Sequence, residues 1–142
     1  MAEKVSFRLK NEIIELDRMR KIADEFAEQN RLDQKSVFAL NLVLEEIVTN
    51  IMKYGYEHKT QQEIQIDLSL ALDQLMIRIA DAGRPFDPTA HPAPNLELPP
   101  EERPIGGLGI HLVKNFMDSV EYKREQNQNI LLLKKLITTE PN

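Results

Sequence analysis

The stretch EEIVTNIMKY at residues 45–54 sets Glu46, Asn50 and Lys53 at spacings of four and three. On a helix these three side chains share one face. A carboxylate, an amide and an ammonium along one stripe can be a solvated helix side. They can also be a site, because an Asn inside a helix is locally unfavourable and asks for a reason. Glu45 lies about 100° around the helix from Glu46 and reads as a bystander. Further on, Asp81-Ala82-Gly83 closes an apolar run. Glycine there allows a positive φ or a close approach of the backbone to a ligand. Gly106-Gly107-Leu108-Gly109 then opens another helical stretch. Free N–H groups at such a helix start point at an anion, and the helix dipole favours negative charge.

Each motif alone has an ordinary reading as a solvated face, a strand-end turn or a plain glycine turn. The three in this order are more specific and point to an ATP site.

The elements that must position them follow from periodicity. Val5 to Leu9 alternates apolar and polar, which predicts a short strand. Asn11 is placed to cap a following helix that ends near Asn30, with Ile14, Met19, Ile22 and Phe26 towards one face. Asp33 is placed to cap a second helix, where Val37, Leu40, Leu44, Ile47 and Ile51 form a buried stripe. Gly55 ends or bends it. Glu63–Leu70 and Leu75–Ile79 alternate as two neighbouring antiparallel strands with a turn near Leu72-Asp73-Gln74. Seven of the eight prolines fall between Arg84 and Ile105, where regular structure is not expected. A long irregular stretch between two phosphate-type motifs reads as a lid over residues 84–105. A helix from the glycine loop to about Met117 follows. Two last strands, Val120–Lys123 and Ile130–Ile137, are joined by a polar turn at Glu125–Gln128. The order β-α-α-β-β-lid-α-β-β predicts a two-layer α+β domain, with helices on one face of a mixed, mainly antiparallel sheet.

With 142 residues, 42% of them hydrophobic, the chain suits a single domain over 1–142 with a real core. The net charge of −5 argues against a nucleic-acid partner. Absence of cysteine excludes disulfides and Cys-based zinc sites. No apolar run approaches the roughly 20 residues that cross a bilayer, and the first ten residues lack the apolar segment of a signal peptide. The expectation is a soluble, cytoplasmic protein without a membrane partner. His58, His91 and His111 share no metal-ligand spacing and read as surface or packing residues. Arg18, Arg20 and Lys21, beside Asp17 and Asp24, read as a solvated helix face.

The three motifs resemble those of the Bergerat-fold ATPase domain shared by histidine kinases, DNA gyrase and mismatch-repair ATPases (the GHKL group). The likeness is greatest to the branch of anti-sigma-factor serine/threonine kinases. Glu46-Ile-Val-Thr-Asn50 resembles the N-box, Asp81-Ala-Gly83 the G1 box and Gly107-Leu-Gly109 the G2 box. Asn115-Phe-Met-Asp118 continues the likeness, which spans roughly residues 5–137.

The resemblance implies ATP and Mg²⁺ as cofactors, with Asn50 giving its side-chain oxygen to the metal. It implies that Asp81 accepts the adenine amino group and that Gly83 lets the base pack closely. Gly106, Gly107 and Gly109 would surround the phosphates. Glu46 would be the catalytic base, while Lys53 and Arg103 would reach phosphate oxygens. The implied activity is transfer of the γ-phosphoryl group to a serine of a small antagonist protein by a kinase that also sequesters a sigma factor. A homodimer is implied as well. In that setting the basic helix face could instead dock a partner. Two departures stand out. Many relatives carry a second glycine where this chain has Pro85. Relatives also often place a threonine that contacts adenine near the start of the last strand, where this chain has Asn129, Ile130 and Leu131. The rival reading is a non-catalytic ATP-gated protein-binding module, and a third is a regulator in a phosphatase pathway. Without a phospho-accepting histidine helix ahead of these motifs, a full histidine kinase is not expected.

Overall fold

A computed structural model of the chain describes residues 3–54, 62–87 and 107–137. Most of the expected lid, with Arg103 and Gly106, lies outside them. The elements are β1 (Glu3–Lys10), α1 (Glu15–Gln29), α2 (Gln34–Tyr54), β2 (Glu63–Ala71), β3 (Gln74–Asp81), α3 (Gly107–Phe116), β4 (Ser119–Glu125) and β5 (Gln128–Leu136). The strands form one sheet in the order β1-β2-β3-β5-β4. All four pairings are antiparallel, which narrows the expected mixed, mainly antiparallel sheet.

Cross-strand partners in an antiparallel sheet share a face, so the register defines rows. Phe7, Ile66, Ile79, Leu131 and Tyr122 make one row; Val5, Leu68, Ile77, Leu133 and Val120 make the next. This apolar face joins a core with Leu16, Met19, Ala23 and Phe26 of α1, Leu40, Leu44, Ile47 and Ile51 of α2, and Ile110 and Val113 of α3. At one end of the sheet the row changes character and reads Leu9, Ile64, Asp81, Asn129, Arg124. The polar end of the apolar face is where the candidate site forms.

The β4–β5 connection puts two of those residues there. Glu125 pairs with Gln128, and Gln126 and Asn127 between them have φ of 52° and 63°. Two successive positive φ values make the mirror-image turn that matches strand twist. The tight turn holds Arg124 and Asn129 opposite each other.

Helix α1 departs from its expected start. Asn11 donates its backbone N–H to the Gln62 carbonyl (3.1 Å), prolonging the β1–β2 pairing, and does not cap the helix. Ile14 occupies the N-cap position without a side-chain cap and is 76% exposed, so it leaves the apolar face expected to contain it. The Glu15 carboxylate instead accepts the Lys10 N–H (3.0 Å) and the Arg18 guanidinium (2.7 Å). The Arg18 hydrogen bond and the Lys10 N–H hold the Glu15 carboxyl below its ordinary pKa. Arg18 also donates to the Arg8 carbonyl, tying α1 to the edge strand.

Helix α2 starts as expected. Asp33 Oδ1 accepts the Ser36 N–H at 3.2 Å, the N-cap geometry that satisfies an orphan donor of the first turn. Asp33→Ala is expected to lower stability by about 1 kcal/mol, read as a lower urea midpoint at unchanged m-value.

Candidate nucleotide site

A partly open pocket lies between α2 and the polar end of the sheet. It is lined by Ile47, Asn50, Ile51, Ile79, Asp81, Phe86, Tyr122, Asn129 and Leu131. Its walls are apolar and aromatic, with a few convergent polar groups, the usual make-up of a small-molecule site. Helix α2 supplies one wall because its buried stripe packs on Ile79 and Leu131, and Asn50 borders that stripe.

Asp81 is the pocket's buried carboxylate, 4% exposed. Its Oδ1 accepts the Gly83 N–H at 2.9 Å and the Asn129 amide at 3.2 Å. Among the described residues no hydrogen bond reaches Oδ2, so the acceptor capacity left on Asp81 belongs to that oxygen. Burial pushes the Asp81 pKa up; the Gly83 and Asn129 donors and the positive charge of Arg124 oppose that shift. A hydrogen-bond donor delivered to Oδ2 would compensate a group that is otherwise short of partners. Gly83 is itself buried, and its carbonyl accepts Arg124 Nη1 at 2.7 Å.

Asn50 is 9% exposed and reaches the pocket, which removes the reading of its helix face as simply solvated. Its amide has no hydrogen-bond partner among the described residues. Glu46, one turn earlier, is half-buried and has no ion pair among the described residues. Glu45 binds the Arg20 guanidinium, holding α2 to α1, which accounts for it as a structural neighbour of the site. Lys53 is exposed and does not line the pocket. Gly107 and Gly109 lie in the first turn of α3. Residues 107 to 116 run beside α2, with Phe116 edge-on to Phe38 at 5.2 Å between ring centroids.

The sequence motifs did not single out Phe86 or Tyr122, and Asn129 entered only as a residue standing where relatives often have threonine. The structure brings all three into the pocket. The missing signal was the pairing of β3 with β5, which sets Asn129 opposite Asp81. Among the described residues, no three His, Cys, Asp or Glu side chains are grouped to hold a metal, and no helix is long and apolar enough to cross a membrane.

The fold is α+β with a pocket at the polar end of an antiparallel sheet, and residues 9–135 match the histidine kinase-like ATPase domain family. The chain belongs to that family. It is 27% identical over 110 residues to the serine/threonine-protein kinase BtrW of Bordetella bronchiseptica, covering 78% of each chain. It is 24% identical over 143 residues to the serine-protein kinase RsbW of Listeria innocua, covering 94% of this chain and 88% of the relative. A solved structure of the RsbU and RsbW domains of Rv1364c from Mycobacterium tuberculosis matches 98% of this chain with a TM-score of 0.69 at 14% identity. This chain spans 33% of that one.

Proposed function

We propose that this chain is an ATP-dependent serine/threonine protein kinase of the anti-sigma type. Its substrate is a serine on a small antagonist protein, and it sequesters a sigma factor until that antagonist, unphosphorylated, displaces it. The observation that carries the reading is the pairing of Asp81, with Oδ2 left for a ligand donor, and Asn50, with an uncommitted amide, in one pocket. The adenine amino group is the donor that suits Oδ2, and the apolar residues Ile47, Ile79 and Leu131 suit the base. The family resemblance and the kinase names of BtrW and RsbW support the choice of reaction.

Asn50 would hold Mg²⁺ through its side-chain oxygen. A single protein ligand suits a cation that keeps several waters. When held by Asn50, Mg²⁺ would supply charge neutralisation at the phosphates. The start of α3, with Gly106, Gly107 and Gly109, would receive the phosphates on backbone N–H groups, with Lys53 and Arg103 as added cationic partners. Glu46 would accept the proton of the serine hydroxyl as its oxygen bonds to the γ-phosphorus. The bond from that phosphorus to the β-phosphate oxygen breaks, and ADP leaves.

The test is co-purification of the chain with candidate sigma and antagonist proteins, followed by transfer of labelled phosphate from ATP to the antagonist. Transfer to serine supports the reading; binding of ATP without transfer to any co-purified protein would overturn the kinase part. Asn50→Ala is expected to weaken nucleotide binding roughly tenfold in the presence of Mg²⁺, the size of one lost contact to a charged group. Titration calorimetry with and without Mg²⁺ checks this, the loss being confined to the Mg²⁺-dependent part.

A further inference from the structure

We propose that Asn129 is a positioning residue that clamps the segment after β3 and thereby sets the Asp81 carboxylate for its ligand. The inference rests on the adenine-nucleotide reading for its ligand but on geometry for the clamp. Asn129 is 6% exposed and makes four hydrogen bonds. Its Nδ2 donates to Asp81 Oδ1 (3.2 Å) and to the Arg84 carbonyl (2.8 Å). Its Oδ1 accepts the Phe86 N–H (3.2 Å) and the Tyr122 hydroxyl (2.5 Å).

These partners leave the amide one orientation. A backbone N–H can only donate and a backbone carbonyl can only accept. The Arg84 carbonyl and the Phe86 N–H therefore fix which end of the amide faces which way. The side chain bonds residues 84 and 86 much as the backbone of a neighbouring strand would, and Phe86 then stands as a pocket wall. The N–H end is committed to Asp81 Oδ1, so Oδ2 is the oxygen left for a ligand. Arg124 adds a second hold from the same hairpin through the Gly83 carbonyl (2.7 Å). The clamp spans Pro85. A pocket wall at this place is thus held by the β4–β5 hairpin.

Asn129→Asp separates this role from mere packing, because it keeps the shape and replaces the donor by a carboxylate oxygen. That oxygen would face Asp81 Oδ1 and the Arg84 carbonyl, and two carboxylates this close share a proton. Among the described residues, the titratable and charged groups around the cluster are Asp81 on β3, Tyr122 and Arg124 on β4, and Arg84 and Asp87 in the clamped segment. Helix α2 presents the uncharged Ile47, Asn50 and Ile51. Lowering the pH restores a donor to the introduced carboxyl group, so the defect should fade in acid.

The measurement is ADP affinity of Asn129→Asp relative to the unsubstituted chain at matched pH, so that ionisation of ADP cancels. The expected ratio is roughly a tenfold loss at pH 8, shrinking steadily towards pH 6. A ratio near one, or a loss that does not vary with pH, would overturn the proposal. A second readout needs no nucleotide. The chain has no tryptophan, so Phe86→Trp introduces a single reporter beside the clamp. Adding Asn129→Asp should shift its emission to the red at pH 8 and return it at pH 6; unchanged emission would overturn the clamp. If the chain binds no ADP while the reporter responds to pH as expected, the nucleotide reading fails and the clamp stands. Should Asn129→Asp not fold, Asn129→Ser in the reporter background is expected to be red-shifted at both pH values, and emission identical to the parent would overturn the proposal.

Discussion

Asp81→Asn is expected to abolish most adenine-nucleotide binding while making the ligand-free protein more stable. Asparagine can keep an oxygen in the Oδ1 position, where it accepts the Gly83 N–H and the Asn129 amide. That places its NH₂ where Oδ2 was, facing the pocket. An adenine amino group arriving there meets a donor instead of an acceptor. Losing a hydrogen bond to a charged group costs about 1.5–3 kcal/mol, or roughly 10- to 150-fold in affinity. Calorimetry with ADP checks the loss, and unchanged affinity would remove Asp81 from the base pocket.

The stability half of this prediction follows from the same burial. Burial raises the pKa of Asp81 in the folded protein despite its hydrogen bonds and Arg124. Between the unfolded and the raised folded value, the folded state binds more protons, so stability falls as pH rises through that window. Above it the cost of keeping the buried carboxylate ionised is fully present. Asp81→Asn removes that cost, so the melting temperature of the ligand-free variant should exceed that of the parent at pH 7. The gain should disappear below the ordinary carboxylate range, where the parent is protonated in both states. A parent and variant with parallel melting profiles from pH 3 to pH 8 would contradict this account.

Glu46→Gln is expected to retain ATP binding and to lose phosphotransfer by about 10²–10⁴-fold, the usual contribution of a general base. Glu46 stands one turn before Asn50 and lies outside the residues lining the base pocket, so base recognition through Asp81 should survive. Glutamine preserves the size of the side chain but cannot take the serine proton. Much of phosphoryl transfer comes from positioning and charge stabilisation, so residual transfer at the lower end of that range is expected. The measurement pairs ADP calorimetry with single-turnover transfer to the antagonist serine. Transfer at the parent rate would exclude Glu46 as the base. No transfer by the parent itself would favour an ATP-gated binding module built on the same pocket. Glu45 offers an internal control. Its carboxylate is held by Arg20 on α1, so Glu45→Gln should leave the transfer rate close to that of the parent.

The local sequence was enough to determine the strands, the helices apart from the start of α1, and the three motifs. Alternation separates the apolar face of β2 and β3 from the solvent face, and the 3–4 spacing of Leu40, Leu44, Ile47 and Ile51 specifies the buried stripe of α2. Both signals are periodic and local, so they survive without knowledge of the fold. Asn50 was legible for the same reason, as a polar residue bordering that stripe. The start of α1 was not, because Asn11 was drawn into a ladder bond with Gln62, a residue distant along the chain. The central part of the site was hidden in the same way. A period of two says which face a side chain takes but not which strand lies beside it. Only insertion of β5 between β3 and β4 sets Asn129 against Asp81, 48 residues apart, and brings Tyr122 and Arg124 to the same end of the sheet. The motifs therefore named Asn50 and Asp81, two polar groups lining the pocket, while long-range strand pairing decided which residues hold Asp81 in place.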